Sequence, residues 1–153
     1  MRKLNPEYVK AVCLHVNQSP YFTLLSMELQ SFDIGTSRVE IQAQEKHLQP
    51  FKLVHGGVYS TIIDAATFWA VYGEIDEDVG MTSVDLKLNY LSSATSGKLI
   101  ATGRRIKVGR TLGLGEAEVT DENGKILAHG MSTVMVLPGL ALAAGKPLPK
   151  KFE

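Results

Sequence analysis

The stretch from Gly56 to Tyr72, GGVYSTIIDAATFWAVY, is the longest apolar run in the chain and carries a single charge, Asp64. Its alanines suit a helix, and Gly73 offers a C-terminal stop. At about 100° per residue, Tyr59, Ile62, Ala66 and Trp69 share one side, with Ser60, Thr61, Asp64 and Thr67 opposite. A helix this apolar has to be buried. It is interrupted by the aspartate and is shorter than the roughly 20 residues a membrane span needs, so the burial has to come from the rest of the chain.

The flanking sequence supplies strands for that purpose. Apolar segments near 24 to 32 and 37 to 44 predict a first hairpin, joined by a Gly-containing turn at Asp33 to Ser37. After the apolar run, Thr82, Val84, Leu86, Leu88 and Tyr90 alternate with Ser83, Asp85, Lys87 and Asn89, the period-2 pattern of a half-buried strand. Three more strands are expected at 98 to 108, 111 to 121 and 125 to 136, separated by Gly109-Arg110 and by Asp121-Glu122-Asn123-Gly124. At the start, Asn5 is a candidate N-cap and Pro6 a first-turn residue for a short amphipathic helix over 5 to 17. The order predicts an α+β fold, in which an antiparallel sheet wraps the one helix able to fill its concave face.

A length of 153 residues suits one domain. We expect it to span 1–137, including the N-terminal helix. Residues 138–153 lose periodicity and gain Pro, Gly and Lys, the composition of a flexible, weakly packed tail. Sixteen basic residues balance sixteen acidic ones, so no bulk attraction to nucleic acid is expected and any anion recognition must be local. Cys13 is the only cysteine, which excludes an intrachain disulfide and a Cys-x-x-Cys redox pair. The opening residues have no continuous apolar core followed by a small-residue cleavage site. A cytoplasmic protein, with no membrane partner, is the expectation.

Asp64 asks for a reason, because no Lys, Arg or His lies between Gly56 and Tyr72 to pair with it locally. Two readings fit: a carboxylate facing a wet groove or a distant arginine, and a catalytic base or nucleophile. His55-Gly56-Gly57 at the helix entrance is likewise open to two. It is a tight turn needing glycine, or a cluster of free N–H groups at the positive end of the helix dipole, able to polarise a carbonyl oxygen. Eight residues separate Gly56 from Asp64, about 12 Å along the axis at 1.5 Å per residue, too far for one reacting group to meet both. Two antiparallel copies of the helix across a two-fold axis would bring Asp64 of one chain to Gly56 of the other, so a homodimer with two equivalent sites is expected.

The run HGGVYSTIIDAATFWAVYG, followed by TSVDLKLNYLSSATSGKLIATGRRIKVGRTLGLGEAEVTDENGKILAHG, resembles the PaaI-type branch of the hot-dog thioesterase superfamily across most of residues 45 to 136. The resemblance rests on His-Gly-Gly with an acidic residue nine positions after the His, on Ser-Val-Asp-Leu, and on the Gly-Arg hairpin. It implies a hot-dog fold and hydrolysis of acyl-CoA in a dimer, commonly a dimer of dimers, with no metal and no cofactor beyond the CoA of the substrate. By position it implies Asp64 as nucleophile or general base, the Gly56 amide as oxyanion site, and Ser83 as an aid near the attacking water. His55 would support the turn. The family usually has asparagine six residues before the motif His, and this sequence has Gln49, which keeps donor and acceptor with one more methylene.

Arg104, Arg105, Lys107 and Arg110 cluster around the turn at Gly109. A charge cluster of this kind is either a solvated hairpin tip or a phosphate contact. With the resemblance, one or two of them, together with the glycines Gly57 and Gly109, are expected to touch CoA. His15, His47 and His129 have no metal-ligand spacing. Trp69, Phe68 and Tyr72 are expected in packing. Two rival functions share the fold: an enoyl-CoA hydratase or dehydratase, whose His-acid spacing is absent, and a non-catalytic acyl-CoA-binding module.

Overall fold

The Asn5 side chain accepts the Glu7 N–H at 3.0 Å and Pro6 occupies the first turn, opening α1 (Pro6–Asn17). The computed structural model describes residues 2–153. After α1 come α2 (Pro20–Leu25), β1 (Met27–Asp33), β2 (Thr36–Gln42), α3 (Gly56–Tyr72), β3 (Val79–Tyr90), β4 (Lys98–Val108), β5 (Leu112–Thr120) and β6 (Ile126–Pro138). A short 3₁₀ turn at Glu45–His47 precedes α3. The six strands form one antiparallel sheet in the order β1-β2-β4-β5-β6-β3, wrapped around α3. This is the hot-dog architecture that the sequence implies.

The sheet grips α3 closely. Ser37 on β2 donates its hydroxyl to the Ala66 carbonyl at 2.6 Å, and its neighbour in register, Gly103 on β4, leaves no room beside the same carbonyl. A Cβ at Gly103 would stand 2.2 Å from Ala66 O, so glycine is what lets helix and strand approach. Val58, Tyr59, Ile62, Ile63, Ala66 and Trp69 are all buried. Phe32, Phe68, Trp69 and Tyr72 gather at the C-terminal half of α3, where Trp69 and Tyr72 meet edge-on at 5.0 Å.

Four expectations need correction. The six-residue α2, opened by Pro20, occupies sequence that reads as the start of a strand, so β1 begins at Met27. Thr67 does not share the polar stripe: it is buried, its hydroxyl bonded to the Ile63 and Asp64 carbonyls at 2.9 Å each. The alternation on β3 does not run unbroken, because a bulge between Ser83 and Asp85 turns Ser83 toward α3 and leaves Val84 half-exposed.

The fourth concerns the C-terminal segment, whose far end does not pack weakly. Lys151 is fully buried, and its Nζ donates at 2.7 Å to both the Tyr72 and Ile75 carbonyls just at the end of α3. That is a cation placed where helix carbonyls lack partners. Phe152 bridges to Leu4, the Asn5 N–H donates to the Lys151 carbonyl at 2.9 Å, and Arg2 lies over the Phe152 ring at 4.4 Å. The composition of the segment hid a single lysine with a buried role.

Candidate functional site

Asp64 sits half-buried on α3, and Ser83 donates its hydroxyl to Oδ1 at 2.7 Å. No ion pair reaches Asp64 among the described residues. The bulge in β3 is what aims Ser83 at the helix, so the contact depends on a local irregularity of the sheet. A carboxylate held by one hydroxyl keeps its other oxygen free to accept a proton or attack an electrophile.

The second assembly lies at the N-terminus of α3. His55 is the N-cap, and its Nδ1 accepts the Gly57 N–H at 2.7 Å. The one backbone donor of Gly57 is thereby engaged within the chain. The Gly56 N–H forms no hydrogen bond among the described residues and points from the positive end of the helix. Tyr90 packs directly against Gly56: a Cβ there would lie 3.0 Å from the tyrosine ring. Nothing in the strand pattern marked Tyr90 as a neighbour of the helix start, because the crossing of β3 and α3 exists only in three dimensions.

Gly56 borders a groove of about 520 Å³ whose other walls include Gln49, Tyr59, Tyr90, Leu91 and Ser93. Gln49 turns its Oε1 back to accept the Phe51 N–H, which leaves its Nε2 as the group free to act in the groove. Tyr59 is buried, and burial raises the pKa of its phenol. The Ala94 backbone N–H pulls the other way, more weakly, and the Tyr59 hydroxyl has no well-formed hydrogen bond among the described residues.

The two assemblies stand apart on the same helix. Asp64 with Ser83 lies two helical turns from Gly56 with Gln49, about 12 Å at 1.5 Å per residue. The basic residues are farther away. Gly109 and Arg110 border a cavity of about 790 Å³ beside Glu74 and Ile75, just past the opposite end of α3 from Gly56. Arg104 is paired with Glu116, and that hydrogen bond holds the Glu116 carboxyl below its ordinary pKa, His129 adding to the effect. Arg105 Nε lies 2.8 Å from Glu74 Oε2, close but poorly aligned for a hydrogen bond. Arg104 and Arg105 each face a carboxylate within the chain. Lys107 and Arg110 are exposed and have no ion pair among the described residues.

His47 is buried, its Nδ1 accepting from Gln44 N–H at 2.9 Å and its Nε2 lying 2.7 Å from the Leu25 carbonyl. No group of three or more His, Cys, Asp or Glu among the described residues is placed to hold a metal ion. No helix among them is long and apolar enough to cross a membrane.

Residues 51–128 match the profile of the Thioesterase superfamily. A 1,4-dihydroxy-2-naphthoyl-CoA hydrolase of Listeria monocytogenes is 29% identical over 112 residues, covering 73% of this chain and 91% of the relative. Acyl-coenzyme A thioesterase 13 of Mus musculus is 29% identical over 96 residues, covering 61% of this chain and 68% of the relative. The solved structure of a Haemophilus influenzae thioesterase superposes with a TM-score of 0.82 at 20% identity, covering 94% of this chain and 99% of that one. That likeness is one of fold.

Proposed function

The chain belongs to the thioesterase superfamily, and from that premise we propose that it hydrolyses an acyl-CoA thioester to free acid and CoA, as a homodimer of the PaaI type with Asp64 as the reacting carboxylate. The observation that carries the reading is a carboxylate on an apolar helix, free of cationic partners among the described residues and fixed by Ser83 at 2.7 Å. A structural aspartate in that setting would be expected to pair with a base.

In the proposed dimer Asp64 of one chain faces the partner's Gly56 across a two-fold axis. The thioester carbonyl lies between them. The partner's Gly56 N–H, at the positive helix end, and the Nε2 of the partner's Gln49 stabilise the oxyanion. Asp64 takes the proton of a water that attacks the carbonyl carbon, or attacks it directly and is freed by water in a second step. In either course a C–O bond forms, the C–S bond breaks, and the thiolate of CoA leaves and takes up a proton. Ser83 holds Oδ1, so the reactive oxygen keeps one direction.

Arg110 and Lys107, both exposed, meet the phosphates of CoA, and Gly109 lets the chain turn there. Two such dimers joining into a tetramer, and work in the cytoplasm, complete the proposal. The test is CoA thiol release over a panel of acyl-CoAs by wild type and by Asp64→Asn. Saturable binding without thiol release would make the protein an acyl-CoA-binding module instead.

A further inference from the structure

Resting on the two-chain site just proposed, we infer that Leu140 of one chain forms part of the wall of the partner's groove beside Gly56. Contacts within one chain fix the geometry. Asp64 is bonded to Ser83, and Gly56 is packed against Tyr90. If Asp64 of one chain faces the partner's Gly56, then Ser83 of that chain comes beside the partner's Tyr90. β3 lies at an edge of the sheet, and in the two-fold dimer proposed above two copies of it would run antiparallel side by side. Three residues before Ser83 is Gly80, and three residues after Tyr90 is Ser93. Gly80 of one chain therefore arrives just past the end of the partner's β3, beside the segment 91–93 that follows Tyr90.

Leu140 travels with Gly80. After β6, Gly139 with φ +79° folds the chain back, and Leu140 is pressed onto Gly80 so closely that a Cβ there would lie 2.6 Å from its carbonyl oxygen and 2.8 Å from its Cγ. From there the chain passes the start of β3, where Leu142 and Leu148 share a cavity with Val79 and Tyr72, and ends under α3 at Lys151. The far end of the segment is anchored, so Leu140 is held in place. Both surfaces that this arrangement brings together are apolar and uncovered in the single chain: Leu140 is 49% exposed, Tyr90 58% and Leu91 57%. Joining them removes large apolar side chains from water. Tyr90, Leu91 and Ser93 also line the groove at Gly56, so whatever covers them limits the room left for the acyl group.

Adjacency is tested without any catalysis by Leu140→Cys with Ser93→Cys in a Cys13→Ser background, oxidised with diamide. A covalent dimer that reductant dissolves is expected on a denaturing gel. A chain that keeps its circular dichroism yet yields only monomer overturns the inference. The role is tested by Leu140→Trp, for which KM rises about tenfold for the longest acyl-CoA that wild type accepts and stays within about twofold for acetyl-CoA, kcat being kept. Equal KM ratios in variant and wild type also overturn it. A covalent dimer from protein that cleaves no acyl-CoA leaves the contact standing and removes the thioesterase reading. Cleavage without cross-linking does the reverse.

Discussion

Ser83 donates its hydroxyl to Asp64 across 2.7 Å, joining the edge strand β3 to the middle of α3 at the point where the strand bulges. Asp64→Asn keeps the shape and removes the base. We expect kcat to fall by about 10²- to 10⁴-fold, the range typical of a lost general base, with KM moving little. Ser83→Ala should cost less, about tenfold, as one hydrogen bond to a charged group. Thiol release in steady state measures both, and equal rates for Asp64→Asn and wild type would remove Asp64 from the mechanism.

The arginines of the β4–β5 hairpin should separate. Arg110→Ala should raise KM for acyl-CoA several-fold, whereas Arg104→Ala should change it little, because Glu116 already holds Arg104. The comparison is run with an acyl-CoA and with a thioester of the same acid on a short thiol lacking phosphates. Only the former should respond to Arg110→Ala.

Gly103→Ala should destabilise the fold by about 1–3 kcal/mol or more, the usual cost of overpacking, because the new methyl would meet the Ala66 carbonyl at 2.2 Å. Backbone stands on both sides, so little can give way. Urea denaturation followed by circular dichroism reads the loss. An unchanged midpoint would mean that α3 is not pressed onto β4 as described.

Burial pushes the Lys151 ammonium down to about 7 from its ordinary 10.5, with nearby Asp76 pulling it up, Arg2 lowering it and Glu77 pulling it up. An unfolded lysine keeps its proton until about 10.5. Between these values the unfolded chain binds more protons, so stability should rise with pH from about 7 to 10.5, the cost of burying the charge being fully present and pH-independent below that window. Lys151→Met should flatten the slope. Unfolding free energies at pH 7.5 and 9.5, taken for both proteins, check the sign.

Burial also lifts the Cys13 thiol to about 11. At pH 7.5 its thiolate is scarce, so alkylation by iodoacetamide should run at least about tenfold slower than for a free cysteine and reach ordinary speed only on unfolding. Mass spectrometry at timed intervals measures it.

The helix at Gly56 to Tyr72 and the four strands after it are legible in the sequence because their signals are local: an apolar run with a glycine stop, and alternation broken by turns. Contacts that arise from crossing are not. The bulge that aims Ser83, the ring of Tyr90 on Gly56 and the pairing of Arg104 with Glu116 each join residues whose spacing in the chain carries no period. Lys151 was invisible for a related reason. A lysine near two prolines reads as solvated, and only the carbonyls left over at the end of a helix 76 to 79 residues earlier give it a buried place.

The clasp between Leu4 and Phe152 closes the segment between them nearly into a ring, beyond the last turn of α3, at the other end of that helix from Gly56. Such a ring can be opened elsewhere. Joining Arg2 to Glu153 by a short linker and cutting at the exposed Glu122–Gly124 turn should give a circular permutant that still folds, with its new ends far along the chain from Asp64 and Gly56.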